Sequence, residues 1–292
     1  MTIVEICVLG VVFLAISVLY SSVGHGGASG YLAAMALAGT VPIGLMKPTA
    51  LSLNIVVATL ATVRFARVGG FSWRLFAPFA ATSIPCAFLG GVWQLDPTNY
   101  KRVLGLLLLV TALPLLLRQP AGAGGHRRRV PIAAGLLIGA VIGLVSGLIG
   151  VGGGIFLSPI LLLACWADTR QTAGVSAAFI LVNSVAGLLG HFAGVQQLPA
   201  AVGLWAAAVA VGGFIGSGLG SRRFGRQLFR RALAVVLIVA GIKMFLSAPP
   251  EPTPPNPPTA QEAVGRAMAR SADRAYAACE PVIFRRYVSP AV

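Results

Sequence analysis

Acidic residues are nearly missing from this chain. Only 7 of its 292 residues are Asp or Glu, and of these only Glu5, Asp96 and Asp168 precede residue 248. All three fall near the ends of apolar segments, so no carboxylate stands at membrane depth to couple transport to sodium or a proton. Cysteine is sparse as well: Cys7, Cys86, Cys165 and Cys279 show no CxxC spacing, which gives no support to a zinc site or a disulfide framework. The first three are expected as small apolar residues packed among helices. Neither GxSxG nor HExxH occurs, so the nucleophile and metal motifs of intramembrane hydrolysis are lacking. Ser22 and His25 could pair, but no acid in that stretch would orient the histidine. No cofactor and no enzymatic activity are expected.

What the chain has is apolar sequence. Hydrophobic residues make up 57% and charged residues 10%, with a mean hydropathy of +0.87; this composition fits an integral membrane protein. Apolar stretches run through 6–23, 48–63, 75–95, 103–117, 130–166, 172–190, 199–221 and 232–247, and most approach the roughly 20 residues that cross a bilayer as a helix. Glu5 stands where a signal peptide would carry basic residues, so the first stretch is expected to be a retained helix. The net charge of +15 would suggest nucleic acid in a soluble protein. Here Lys and Arg sit at the ends of apolar segments, as in cytoplasmic loops, and no nucleic-acid partner is expected. The expected partners are the lipid bilayer and a small anion; a homo-oligomer stays open.

A glycine cluster occurs twice. Gly24, Gly26 and Gly27 match Gly150, Gly152 and Gly153 at an offset of 126 residues, and the offset holds along the chain. Arg64–Val68 aligns with His191–Val195 at 127, Phe88–Gly91 with Phe214–Ser217 at 126, and Arg102 with Arg231 at 129. Residues 1–118 and 131–247 therefore read as two copies of one transmembrane unit. A Pro/Gly/Arg linker at 119–130 joins them, and a Pro-rich tail at 248–292 is expected to be disordered, with one short helix near 259–278.

Each copy reads as a helix hairpin broken at the glycines and followed by three transmembrane helices. An odd number of crossings makes the second copy insert upside down. Charge agrees: Arg64, Arg67 and Arg74 mark one loop of the first copy, whereas its counterpart at 191–199 carries no charge. In the next loop the bias reverses, from the nearly balanced Asp96, Lys101 and Arg102 to five arginines at 222, 223, 226, 230 and 231. The expected fold is thus all-α with two inverted-topology repeats, a cytoplasmic linker and both termini outside.

Breaks at membrane depth need a reason, because unpaired backbone amides there must be satisfied by protein or by a water-lined cavity. Glycine reaches positive φ cheaply and lets a ligand approach the backbone. Helices restarting after Ala28 and near Ile155 would present free N–H groups and partial positive charge, so two such termini converging from opposite sides would hold an anion without a fixed cation. The expected substrate-binding residues are Ser22, Gly24, His25, Gly26, Gly27 and Ser29 in the first copy, and Gly150, Gly152, Gly153, Gly154 and Ser158 in the second, with Ser21 and Ser146 near enough to add hydroxyls. Asn54 and Asn183, each in an apolar helix, either bond a neighbouring helix or line the cavity. His25 is the one titratable group in the core motif and either couples transport to a proton or is a satisfied hydrogen-bonding residue; Lys47, at the outer end of a helix, either attracts anions into the vestibule or, as the leading expectation, snorkels to the interface. The competing reading of such glycines is close helix packing. Gly150-x-Gly152 is no dinucleotide fingerprint, since Ile155 takes the last glycine position and no strand–helix–strand unit surrounds it.

The run Gly147-Leu-Ile-Gly-Val-Gly-Gly-Gly-Ile-Phe-Leu-Ser-Pro159, its partial N-terminal copy and the helical spacing between them resemble the TauE/SafE family of sulfite-exporter-like membrane permeases over about residues 5–247. The first copy departs from the pattern at His25, Ala28 and Gly30-Tyr31. The resemblance implies a permease of the cytoplasmic membrane that exports sulfite, sulfonates or related organic anions, working by alternating access. A reading of another class is an assembly or docking protein acting through its tail, where Arg266, Arg270 and Arg274 recur on one helical face.

Overall fold

In the structure, a computed structural model, the described residues are 1–22, 24–116, 130–193, 198–219 and 226–246. The linker at 119–129, the arginines at 222 and 223 and the tail at 248–292 lie outside them, as do the side chains of Arg226, Arg230 and Arg231.

The described residues fold into ten helices and no strand: α1 (Ile3–Ser21), α2 (Ala28–Ala38), α3 (Ile43–Arg67), α4 (Trp73–Val92), α5 (Pro97–Leu116), α6 (Ile132–Ile149), α7 (Gly154–Leu163), α8 (Thr169–Phe192), α9 (Val202–Leu219) and α10 (Arg226–Leu246). Local chemistry sets their ends. Thr2 and Glu5 form a capping box at the start of α1, and Asp168 accepts the Gln171 N–H to start α8. The three acids ahead of the tail thus sit at helix ends: Glu5 and Asp168 cap helices, and Asp96 accepts the Asn99 N–H where α5 begins.

Five of the described helices, α1, α3, α4, α6 and α8 from Arg170, are long and apolar enough to cross a membrane. Outward residues are apolar too, including Val4, Val8, Val11, Leu137, Val141 and Leu189 of these helices and Leu204 and Phe214 of α9. In water such a surface would drive aggregation; against acyl chains it is the required one.

Helices pair as α1 with α9, α4 with α6 and α8, α3 with α8 and α9, and α5 with α10. Glycine makes the closest of these contacts. A Cβ at Gly139, Gly143 or Gly147 of α6 would run into the carbonyls of Phe79, Ser83 and Ala87 of α4, and one at Gly212 or Gly216 of α9 into those of Leu14 and Val18 of α1. Without a hydrophobic drive between helices in lipid, such backbone approach supplies the dispersion contacts that hold them. At the edge of the bundle Phe13 meets Tyr31 and Trp205 edge-on, and the Trp205 indole donates to the Ile6 carbonyl.

The cysteines depart from expectation. Cys7 and Cys165 are exposed and Cys86 is half-buried.

Candidate substrate site at the helix breaks

Two helices end in mid-structure and restart. The chain leaves α1 at Ser22 and begins α2 at Ala28, with Gly27 as N-cap at φ 101°. It leaves α6 through Gly150 at φ 91° and begins α7 at Gly154, with Gly153 as N-cap at φ 79°. Gly24 and Gly152 are also left-handed, at φ 79° and 81°. Side chains rarely adopt this region, so glycine is what makes both turns possible. Neither N-cap has a side chain to bond the first-turn N–H groups, which leaves donors at each helix start. With 11 and 10 residues, α2 and α7 span about 15 Å, half the hydrocarbon thickness.

Both breaks close on the same two side chains. A Cβ on Gly26 would overlap the Asn54 amide and stand 2.9 Å from Ile180 Cγ2. A Cβ on Gly152 would overlap the same amide and stand 3.0 Å from both Ile180 Cγ2 and Ser184 Oγ. Asn54 lies near the midpoint of α3 and Ile180 near that of α8, so the two breaks meet where the two longest helices cross. Asn54 is fully buried and donates from Nδ2 to Ser184 Oγ at 2.9 Å, while its Oδ1 has no partner among the described residues.

The other expected residues group around this point to different degrees. Gly154 packs on Ile180, and Ser158 donates to the Gly154 carbonyl and pairs with Ser176 at 2.8 Å. Gly27 packs against the Tyr31 ring and Gly153 against Ile142 and Phe179, whereas Gly24 touches Ala173 and Gly150 touches Lys47. Ser29 is bonded to Tyr20 Oη, and the hydroxyls of Ser21 and Ser22 are committed to the Ser17 and Leu19 carbonyls of their own helix. Ser146 Oγ is buried without a partner. His25 is half-buried, edge-on to Tyr20, with its own N–H on the Tyr20 carbonyl. Asn183 is fully buried, and neither its Nδ2 nor its Oδ1 has a partner. Among the described residues no cluster of three His, Cys, Asp or Glu side chains is placed to hold a metal ion.

Lys47 overturns its expected place. It does not snorkel to an interface: it is 6% exposed, and Nζ donates to the carbonyls of Gly90, Gly91 and Trp93 at 3.2, 2.9 and 3.4 Å. The last turn of α4 leaves carbonyls without intrahelical donors, and the ammonium satisfies them. Sequence reasoning also passed over Ile180 and Ser184. A helical wheel of α8 would have found the latter, because Ser176, Asn183, Ser184 and His191 fall on one face.

The described residues are thus all-helical with apolar outer faces, and two of their helices break around the buried Asn54 amide. The family described as Sulfite exporter TauE/SafE matches residues 8–244, and the chain belongs to it. It is 43% identical over 240 residues to a probable membrane transporter protein of Sinorhizobium fredii, covering 81% of this chain and 97% of that one. A probable membrane transporter protein of Methanocaldococcus jannaschii is 25% identical over 49% of this chain and 54% of its own. One of Haemophilus influenzae is 24% identical over 70% of this chain and 84% of its own. No solved structure matches the chain. The protein is therefore a multi-pass helical membrane protein of a transporter family.

Proposed function

We propose that the protein is a permease that exports small anions, sulfite, sulfonates or related organic anions, from an alternating-access site at the two glycine breaks. The observation that carries this is the convergence of Gly26 and Gly152 on one Asn54–Ile180 contact. Two helix starts without a side-chain cap, one just after Gly26 and one just after Gly152, supply N–H donors and positive partial charge, the complement of an oxyanion. The Asn54, Asn183 and Ser184 side chains add neutral polar groups, and the Oδ1 of Asn54 and both polar atoms of Asn183 are unpartnered.

The inverted-repeat architecture has its support in the packing pairs. Exchanging the first five helices for the second five carries α1 with α9 onto α6 with α4, and α3 with α9 onto α8 with α4, while α3 with α8 and α5 with α10 map onto themselves. Arg64 of α3 reaches the Phe214 carbonyl of α9 at 3.4 Å, and in the matching helix pair Gly190, the residue before the aligned His191 of α8, packs on the Phe88 carbonyl of α4. On this reading the two units rock about the shared contact, in the cytoplasmic membrane, with the arginine-rich connection after α3 inside. A monoanion leaving an inside-negative cell gains about 2.3 kcal/mol per 100 mV, which drives export without a bound cation.

The test is flux of labelled anions in proteoliposomes for the parent protein, Gly27→Leu and Gly153→Leu. Potential-dependent movement of a sulfur oxyanion or sulfonate, lost in both variants, is the expected result; transport indifferent to a collapsed potential would speak against it.

A further inference from the structure

A buried lysine and a buried histidine lie toward one end of the bundle, by the last turn of α4, and neither is accounted for by the breaks. Lys47 holds only the neutral carbonyls of α4, and among the described residues no carboxylate pairs with it. His191 is 5% exposed, and among the described residues neither Nδ1 nor Nε2 has a partner. The two share a neighbourhood. Gly190 packs on the Phe88 carbonyl and the Gly91 Cα, the turn of α4 that Lys47 caps, which brings the next residue of α8, His191, to that turn. Lys47 also borders the second break, since a Cβ on Gly150 would stand 3.1 Å from its Cγ.

The register links this pair to the break site. Asn54 and Ser184 are bonded to each other. Lys47 lies seven residues before Asn54 on α3, and His191 seven residues after Ser184 on α8. Two helical turns return a residue to the same face about 10 Å along the axis. Going toward the N-terminus of α3 and the C-terminus of α8 is going toward the same end of the bundle, the end formed by the last turn of α4 and opposite Arg64 and Arg67.

A buried ammonium is ordinarily paired with a counter-charge, and a buried imidazole with at least one hydrogen-bond partner. Carbonyl dipoles at a helix end supply about half a negative charge, which leaves the ammonium incompletely compensated. An anion beside it would complete the compensation and accept a hydrogen bond from the imidazole N–H. We propose that Lys47 and His191 form a second anion-binding station, which holds the transported oxyanion about 10 Å along α3 and α8 from the Asn54–Ser184 hydrogen bond, on its path toward the α4 end. The station rests on the anion-permease reading and supplies the fixed cation that the breaks do not have.

His191→Phe separates this role from a structural one, because it removes two unsatisfied nitrogens while keeping a ring. Lys47→Gln keeps an amide donor for the α4 carbonyls and removes the charge. Sulfite binding to the purified full-length protein is read from its effect on melting temperature, and sulfite flux from proteoliposomes. His191→Phe is expected to melt no lower than the parent without anion and to bind sulfite about tenfold to a hundredfold more weakly, the loss that goes with a charge-assisted hydrogen bond. Lys47→Gln is expected to lose the sulfite response, and Lys47→Arg to keep most of it. Undiminished sulfite binding and flux in His191→Phe and Lys47→Gln would overturn the station while leaving the permease standing. A folded parent that neither binds nor moves any sulfur oxyanion, sulfonate or carboxylate would overturn both.

Discussion

Asn54 is the side chain that both breaks touch, and its surroundings separate two kinds of glycine. Gly152 combines a left-handed φ of 81° with a Cβ position inside the Asn54 amide, whereas Gly39 has φ 69° with nothing within 4 Å. Gly39→Ala is therefore expected to cost about 1 kcal/mol of stability through its backbone alone and to leave transport unchanged; Gly152→Ala should abolish flux. Melting curves and flux assays on the two variants check the contrast, and equal effects would refute it. Asn183 gives a second residue-scale test. Replacing an unsatisfied buried amide by Leu stabilises a purely structural position by about 1–3 kcal/mol, so Asn183→Leu is expected to melt at or above the parent and to transport less. Unchanged flux in a stabilised Asn183→Leu would place the amide outside the substrate path. The glycines of the breaks were legible because positive φ and close approach both select that residue. Ile180 was not: an isoleucine in an apolar helix carries no signal, and only the crossing of α3 with α8 brings it to Gly26 and Gly152. Lys47 misled for a related reason, since a lysine near a segment end reads as interfacial until the carbonyls of another helix are seen to surround it.

At the scale of elements, glycine serves both readings that the sequence left in competition. In α6 the residues Gly139, Gly143 and Gly147, spaced by four, form a packing stripe against α4, and at Gly150 the same helix stops. Packing and breaking are thus consecutive uses within one stretch of 130–166, which hydropathy alone reads as continuous. Gly143→Leu is expected to separate α6 from α4 and to destabilise the fold by several kcal/mol, since the inserted side chain meets backbone that cannot yield. Thermal unfolding or folded yield in detergent measures this, and a Gly143→Leu protein as stable as the parent would contradict the packing role. The boundaries of α2 and α7 were legible to within a residue, at Ala28 and at Gly154 against the expected Ile155, because left-handed glycines at Gly27 and Gly153 fix where each helix can begin.

For the whole molecule, the proposed duplication is supported by the helix pairs and not by the polar side chains. The helix pairs exchange when the halves are exchanged, but the polar groups do not: Lys47 is matched at offset 126 by Ala173, Asn54 by Ile180 and Ser184 by Ala58. Polar side chains therefore accumulate on α8 and on the Lys47 end of α3, so one end of the path differs chemically from the other. On the proposed account this asymmetry makes the station at Lys47 distinct from the opposite end, where Arg64 lies exposed over Phe214. The repeat itself was legible from glycine spacing, whereas the asymmetry needed the register of α3 against α8. The central claim is that an anion crosses at the breaks under the force of the membrane potential. Its most direct test is the flux of labelled sulfite from proteoliposomes at imposed potentials, comparing the parent with Gly26→Ala, whose added methyl overlaps Asn54 and crowds Ile180. Flux that follows the potential in the parent and is lost in a folded Gly26→Ala is the predicted result. Flux that ignores the potential, or that is equal in both proteins, would contradict the account.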